Sequence, residues 1–246
     1  MLRGLDQNVN NSFRKEKRIP TANDFGHAYF ECGSGTLFKS GYTSEMFAEH
    51  WGRTIDYLMS VYRPQQVLDI GCAKGFLVET LRSRGISSYG VDISQYALSQ
   101  APESIRAFLH QVDVCKAVMP FVDSMFDFVI CLEIVEHLPD VNHFLSEVQR
   151  VMKPGGLLFI STPSPGSEAA QADVTHINVQ HAGWWIKRLS QSGIRTTQLS
   201  DWMWQGQQGR LGHVPEPVRS VLRRFIRAFQ IWRGVKKHLY LVGRKI

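Results

Sequence analysis

The stretch Val67-Leu68-Asp69-Ile70-Gly71-Cys72-Ala73-Lys74-Gly75-Phe76-Leu77 constrains this chain more than any other. Gln66 to Ile70 is a short, β-branched apolar run with one acid inside it, the pattern of a parallel strand buried on both faces. Gly71 breaks the run, a turn of small residues leads to Gly75, and Phe76-Leu77-Val78 with Leu81 begins a helical period. A strand, a glycine turn and a helix in that order form the entrance of a nucleotide site. Small residues let the backbone approach a ligand, and the free N–H groups of the helix point at it.

The spacing narrows the ligand. A dinucleotide fingerprint reads G-x-G-x-x-G and is shaped for a pyrophosphate. Here the pattern is D-x-G-x-x-x-G, with Asp69 two residues before the first glycine. A carboxylate in that place repels a pyrophosphate and suits a ligand end that carries an ammonium group and a sulfonium. The stretch resembles motif I of the class I S-adenosylmethionine-dependent methyltransferases. That family usually has glycine where this chain has Ala73, and an alanine fits there if its φ is negative.

Strand and helix patterns then alternate. Ser88 to Val91 reads as the second strand, Ile105 to Val112 as the third, Phe126 to Leu132 as the fourth and Leu157 to Ser161 as the fifth. A sixth is expected at Ile194 to Leu199 and a last at Leu239 to Val242. Helices are expected at Glu45–Tyr62 with Ser44 as N-cap, from Ser94 through Leu98, at Val141–Met152 and near Trp184–Ser192. Alternation of this kind predicts a parallel sheet covered by helices on both faces, with right-handed crossovers. Met1 to about Asn23 is polar and basic and reads as disordered or loosely docked. The domain layout expected is an N-terminal extension over 1–44 and one domain over 45–246.

Ligands of such sheets sit outside the carboxyl ends of the strands, where strand order reverses. An acid stands at or near four of these ends: Asp69, Asp92, Asp113 and Glu133. Asp92 is placed to accept both hydroxyls of a ribose, and Asp113 lies within reach of an adenine amino group. The resemblance to the methyltransferase family continues through these segments. Tyr89-Gly90-Val91-Asp92-Ile93-Ser94 looks like its ribose-binding strand, and Phe126-Asp127-Phe128-Val129-Ile130-Cys131-Leu132-Glu133 like its fourth strand. Val148-Gln149-Arg150-Val151-Met152-Lys153-Pro154-Gly155-Gly156 looks like its helix and turn before strand five. The resemblance covers about residues 64–163. It implies a doubly wound α/β fold with a seven-stranded sheet, mostly parallel with an antiparallel last strand, and S-adenosyl-L-methionine as cofactor. It implies that Asp69, Gly71 and Gly75 hold the methionine end, Asp92 the ribose and Asp113 the adenine. Cys72, Ala73, Ile93, Val114 and Leu132 complete the expected cofactor lining. It also places an insertion at about residues 200–237.

The acceptor side is expected in Glu133-Ile134-Val135-Glu136-His137, which opens at the same rim. A helical turn there puts Glu133, Glu136 and His137 on one face. E-x-x-E-H resembles ubiquinone-type O-methyltransferases and small-RNA 2′-O-methyltransferases, in which these side chains bind a divalent cation. Glu133, Glu136 and His137 are chemically suited to Mg²⁺, Mn²⁺ or Zn²⁺. The other reading has no metal: His137 acts as general base, with Glu133 and His176 as the further catalytic candidates. His176 belongs to a second stretch, Asp173-Val174-Thr175-His176-Ile177-Asn178-Val179-Gln180-His181, which resembles a segment of cell-surface saccharide methyltransferases. Trp185 is expected in the core and Trp184 against an acceptor.

The net charge of +6 lies at the two ends. Residues 1–18 carry +3 and residues 210–246 carry +9, which leaves −6 for residues 19–209. A nucleic-acid partner is therefore not expected through the middle of the fold. Pro215 to Lys237 sets Val218, Leu222, Phe225, Phe229 and Trp232 on one stripe with arginines off it. That stripe reads equally as a helix packed on the domain or as an interfacial helix at an anionic membrane. Cys32, Cys72, Cys115 and Cys131 are scattered, which favours neither zinc nor disulfides and points to a reducing cytoplasm. The function these features imply is O-methylation of a small hydroxylated acceptor: a saccharide, polyol or phenol. Two alternatives stay open: a metal-assisted RNA 2′-O-methyltransferase, and a cofactor-binding regulatory protein without turnover. The sequence does not fix the oligomeric state.

Overall fold

The computed structural model describes residues 17–33, 40–197 and 238–246. β1 (Gln66–Ile70) lies centrally, paired in parallel with β2 (Ser87–Asp92) on one side and β4 (Phe126–Leu132) on the other. β3 (Leu109–Gln111) extends the sheet beyond β2, and β5 (Met152–Pro163) extends it beyond β4. β7 (His238–Lys245) runs antiparallel to both β5 and β6 (Ile194–Thr197). The order is β3-β2-β1-β4-β5-β7-β6, the expected seven-stranded sheet, and its direction reverses between β1 and β4. The crevice for a ligand opens where Asp69, Asp92 and Glu133 stand.

Alternation along the strands divides the core between two faces. Leu68, Ile70, Val129 and Ile160 meet α6 (Val141–Val151) through Phe144 and Val148, and α8 (Ala182–Gln191) through Trp185 and Leu189. Val67, Phe128, Ile130 and Phe159 face α2 (Ser44–Tyr62) through Phe47, Trp51 and Ile55, and α3 (Phe76–Ser83) through Leu77 and Leu81. Burying such apolar surface contributes about 25 cal/mol per Å² removed from water. Asp140 caps α6 by accepting from the Asn142 and His143 amides, and Ser94 caps α4 (Gln95–Ser99) by accepting from the Ala97 amide. The cap of α2 is Thr43, one residue earlier than the sequence pattern placed it.

Two segments depart from expectation. The third strand is only Leu109–Gln111, because Glu103–Arg106 forms a helical turn, α5, that spends Ile105 on packing with Val78 and Leu98. β5 begins at Met152, where the chain pairs with Phe126 before the bulge at Phe128. The N-terminal segment 17–33 is docked on the domain through a 3₁₀ turn at Ala22–Asp24 and α1 (His27–Cys32). Lys17 Nζ donates to the carbonyls of Ala170, in α7 (Glu168–Ala172), and of His176, at 2.6 and 2.9 Å. Ser94 Oγ donates to the Phe25 carbonyl, and Glu31 pairs with Lys74 at 2.7 Å. The stripe from Val218 to Trp232, with the rest of the expected insertion at about 200–237, lies outside the described residues. Among those described, no helix is long and apolar enough to cross a membrane.

Candidate active site

The turn after β1 is built for close approach. Gly71 has φ 79° and Gly75 has φ 77°, both left-handed. A Cβ on Gly71 would come within 2.9 Å of Ile134 Cδ1, and one on Gly75 within 2.6 Å of Ile105 Cδ1. Ala73 corrects the expectation of a negative φ: it stands at φ 50°, left-handed like the glycines beside it. The reason is its amide, which donates to Asp92 Oδ2 at 2.8 Å. The Ser94 amide donates to Asp92 Oδ1 at 2.8 Å, so both oxygens of that carboxylate are anchored at the mouth of the turn.

A cavity of about 670 Å³ opens over this rim. Asp69, Gly71, Ala73, Asp92, Ile93, Asp113, Val114 and Leu132 line it, as do Glu133, His137 and His176. Cys72 and Gly75 do not: the Cys72 thiol packs behind the turn with Val78 and Leu98, and Gly75 is the N-cap of α3. Asp69 is 4% exposed and forms no ion pair among the described residues. Burial, and then the charge of Asp92, pushes its carboxyl up to about 8. Burial raises Asp92 as well, against the pull of its amide donors. Asp113 Oδ2 is paired with Lys116 at 2.9 Å. A rim with anchored carboxylate acceptors and one buried acid lacking a counter-ion fits a ligand that offers ribose hydroxyls and a cationic end. S-adenosylmethionine has both.

The E-x-x-E-H segment is not one helical face. Only Val135–His137 forms a 3₁₀ turn, while Glu133 takes φ 52° and turns toward β5 and β7. Its carboxylate accepts from Ser161 Oγ and meets His238 Nε2 at 3.0 Å. The cluster that forms is Glu136, His137 and His176, with ligand atoms within 4.8 Å of one another, so His176 stands where Glu133 was expected. His137 is 7% exposed, with the Phe25 ring at 5.3 Å and the His176 ring at 4.7 Å. Its Nδ1 lies 2.9 Å from Thr175 Oγ1, which donates to Asp173 Oδ1 at 2.6 Å. Burial and then the adjacent His176 push the His137 imidazole down to about 3, so it is neutral at ordinary pH. Burial drives Glu136 well above the usual carboxylate range. Among the described residues, Glu136 Oε1, Asp173 Oδ2 and His176 Nδ1 are buried without hydrogen-bond partners, although His176 Nε2 lies 3.9 Å from Glu136 Oε1 and 3.8 Å from Asp173 Oδ2.

Comparison with known proteins agrees with this geometry. A family model described as "Methyltransferase domain" matches residues 68–160. A ubiquinone biosynthesis O-methyltransferase of Idiomarina loihiensis is 36% identical over 102 residues, which cover 40% of this chain and 42% of that protein. The chain thus aligns with less than half the length of the curated relative. The crystal structure of an S-adenosylmethionine-dependent methyltransferase from Archaeoglobus fulgidus superposes with a TM-score of 0.58 at 23% identity, over 82% of this chain and 95% of that one. Residues 68–160 therefore resemble a methyltransferase domain, set in a sheet of the same fold. The fold alone leaves the reaction open, since the [4+2]-cyclase SpnF matches with a TM-score of 0.56 at 16% identity, over 94% of this chain and 99% of that one.

Several residues of the site were not singled out as site residues in the sequence. Tyr29 lines the cavity, and burial followed by the carboxylates of Asp173 and Glu136 pushes its phenol well above the ordinary value. Its segment is rich in aromatic residues, but nothing in that pattern points at a site. Asp173 and Thr175 hold His137 from outside the E-x-x-E-H segment. His238 stands alone at the start of β7. Trp185 is fully buried as expected, whereas Trp184 is not part of the cavity wall: it packs on Trp185 at 4.9 Å and under the Arg188 guanidinium at 5.3 Å.

Proposed function

We propose that the protein transfers the methyl group of S-adenosylmethionine to an oxygen of a small hydroxylated acceptor: a phenol, a polyol or a saccharide. One observation carries this reading. One cavity runs from the Asp69, Asp92 and Asp113 rim to Glu133, His137 and His176, so the residues proposed to hold the donor and those proposed to serve the acceptor line the same space. The name of the Idiomarina loihiensis relative supports oxygen as the methylated atom. Asp92 would accept from the ribose hydroxyls, Asp113 from the adenine amino group, and Asp69 would face the ammonium group. When bound, the cofactor supplies a methyl group already activated by its sulfonium. The chain's own task is to hold the acceptor oxygen in line with that methyl, exclude water and take up the hydroxyl proton. The test is formation of S-adenosylhomocysteine by purified protein with panels of phenols, polyols, saccharides and amines. Turnover confined to the amines would sink the reading, as would tight cofactor binding with no turnover in any panel.

A second proposal concerns a divalent cation at Glu136, His137 and His176, with Asp173 beside them. The observation that favours it is the approach of one ligand atom each from Glu136, His137 and His176 to within 4.8 Å of one another. Imidazole and carboxylate together suit Mn²⁺ or Zn²⁺. Equilibrium dialysis with either ion, repeated on His176→Ala, checks it. Stoichiometric binding that survives in His176→Ala would place the ion elsewhere.

A further inference from the structure

A further histidine stands on this rim and belongs to no motif. His238 opens β7 opposite Pro163 of β5 and lines the same cavity as Asp69 and Glu133. Its Nε2 lies 3.0 Å from Glu133 Oε2, with the two side chains 19% and 23% exposed. The other Glu133 oxygen accepts from Ser161 Oγ, whose residue is fully buried in β5. Glu133 reaches both partners only because its backbone is left-handed, at φ 52°. Such conformations are strained in non-glycine residues and concentrate at functional sites.

The pairing fixes the ring chemistry. An ionised carboxylate only accepts, so Nε2 must carry the hydrogen, and the neutral ring keeps Nδ1 as its proton acceptor. Among the described residues no hydrogen bond occupies that Nδ1. His137 is differently committed: its Nδ1 is held by Thr175, and its ring is packed between Phe25 and His176. The groups around His238 are Glu133, the His50 ring at 6.5 Å and the Tyr240 ring at 6.3 Å, with Glu49 lining the same cavity.

We propose that His238 is the general base that takes the acceptor's hydroxyl proton, and that Glu133, braced by Ser161, is its positioning residue. The proposal rests on the O-methyl transfer reading above. The proton passes from the acceptor oxygen to His238 Nδ1. The oxygen's electron pair forms the new bond to the methyl carbon, and the pair of the broken carbon–sulfur bond stays on sulfur. The resulting imidazolium is balanced by the Glu133 carboxylate, and the proton then leaves to solvent.

Two measurements test it. Nitrogen-15 NMR of the imidazoles in the free protein needs no reaction. The resonance that vanishes in His238→Gln should report hydrogen on Nε2 alone, and in Glu133→Gln the same ring should become a mixture of tautomers. A ring with hydrogen on Nδ1 in the wild type overturns the proposal whatever the protein methylates. The second measurement uses 4-nitrophenol with protein saturated by S-adenosylhomocysteine, where the coloured phenolate reports proton transfer without turnover. The colour should exceed that of free 4-nitrophenol in the wild type and be lost in His238→Gln. Turnover of the best phenol should fall at least about 100-fold in His238→Gln, with calorimetric affinity for S-adenosylhomocysteine unchanged. Colour and turnover retained in His238→Gln overturn the base while leaving O-methylation intact. A wild type that binds S-adenosylhomocysteine yet methylates no hydroxyl removes the reading and the base together.

Discussion

At the scale of single residues, the informative group is an acid buried without a cation. The Asp69 carboxyl sits at about 8, against an ordinary value of 3.8. Between these values the folded chain binds the proton more tightly than the unfolded chain, so stability falls as pH rises through that window. We predict that Asp69→Asn flattens this slope, raises the melting temperature of the free protein at pH 8 by several degrees and abolishes cofactor binding. Thermal unfolding from pH 5 to pH 8 checks the first two and calorimetry the third. A cationic ligand should ionise Asp69, so at pH 7 binding should release a proton. Binding enthalpy should therefore differ between buffers of different ionisation enthalpy. Ala73 offers a second check. A left-handed alanine costs about 1–2 kcal/mol, so Ala73→Gly should raise the melting temperature by about 2 °C once the lost methyl contact is offset.

At the scale of elements, β1, its turn and α3 were legible because local chemistry dictates them. An apolar run meets a glycine that must have positive φ, and a helical period follows. The third strand was misjudged because Ile105 has β propensity, yet its side chain is needed under the turn, beside Gly75 and Leu98. The Glu133 turn escaped detection for a related reason. Helical spacing presumes helical dihedrals, and Ser161 and His238 on β5 and β7 draw that carboxylate the other way. Ser94 links two elements, since it caps α4 and holds the Phe25 carbonyl. We expect Ser94→Ala to lose about 1–2 kcal/mol, more than an isolated cap. Denaturant unfolding measures the loss, and hydrogen exchange should rise in both α4 and the segment around Phe25.

At the scale of the whole molecule, the parallel sheet covered by helices on both faces could be anticipated because alternating strands and helices admit few right-handed solutions. The acceptor end could not, because its parts come from remote places in the chain. Phe25 and Tyr29 precede the sheet, Asp173 follows β5, and His238 lies beyond the basic stretch. Only the closed fold brings them to one cavity. The segment 17–33 then has a consequence for timing. Ile19, Pro20, Phe25 and Tyr29 form part of the cavity wall, and the segment is tied to the acceptor end by Lys17 and to the donor end by Glu31. Residence times of donor and acceptor should therefore share one clock, the lifting of this strip of main chain. Saturating S-adenosylhomocysteine should slow proteolytic cutting between residues 17 and 33 by an order of magnitude or more. Glu31→Ala should shorten the stay of both ligands, so that exchange becomes faster on both sides of a reaction whose chemistry it does not touch.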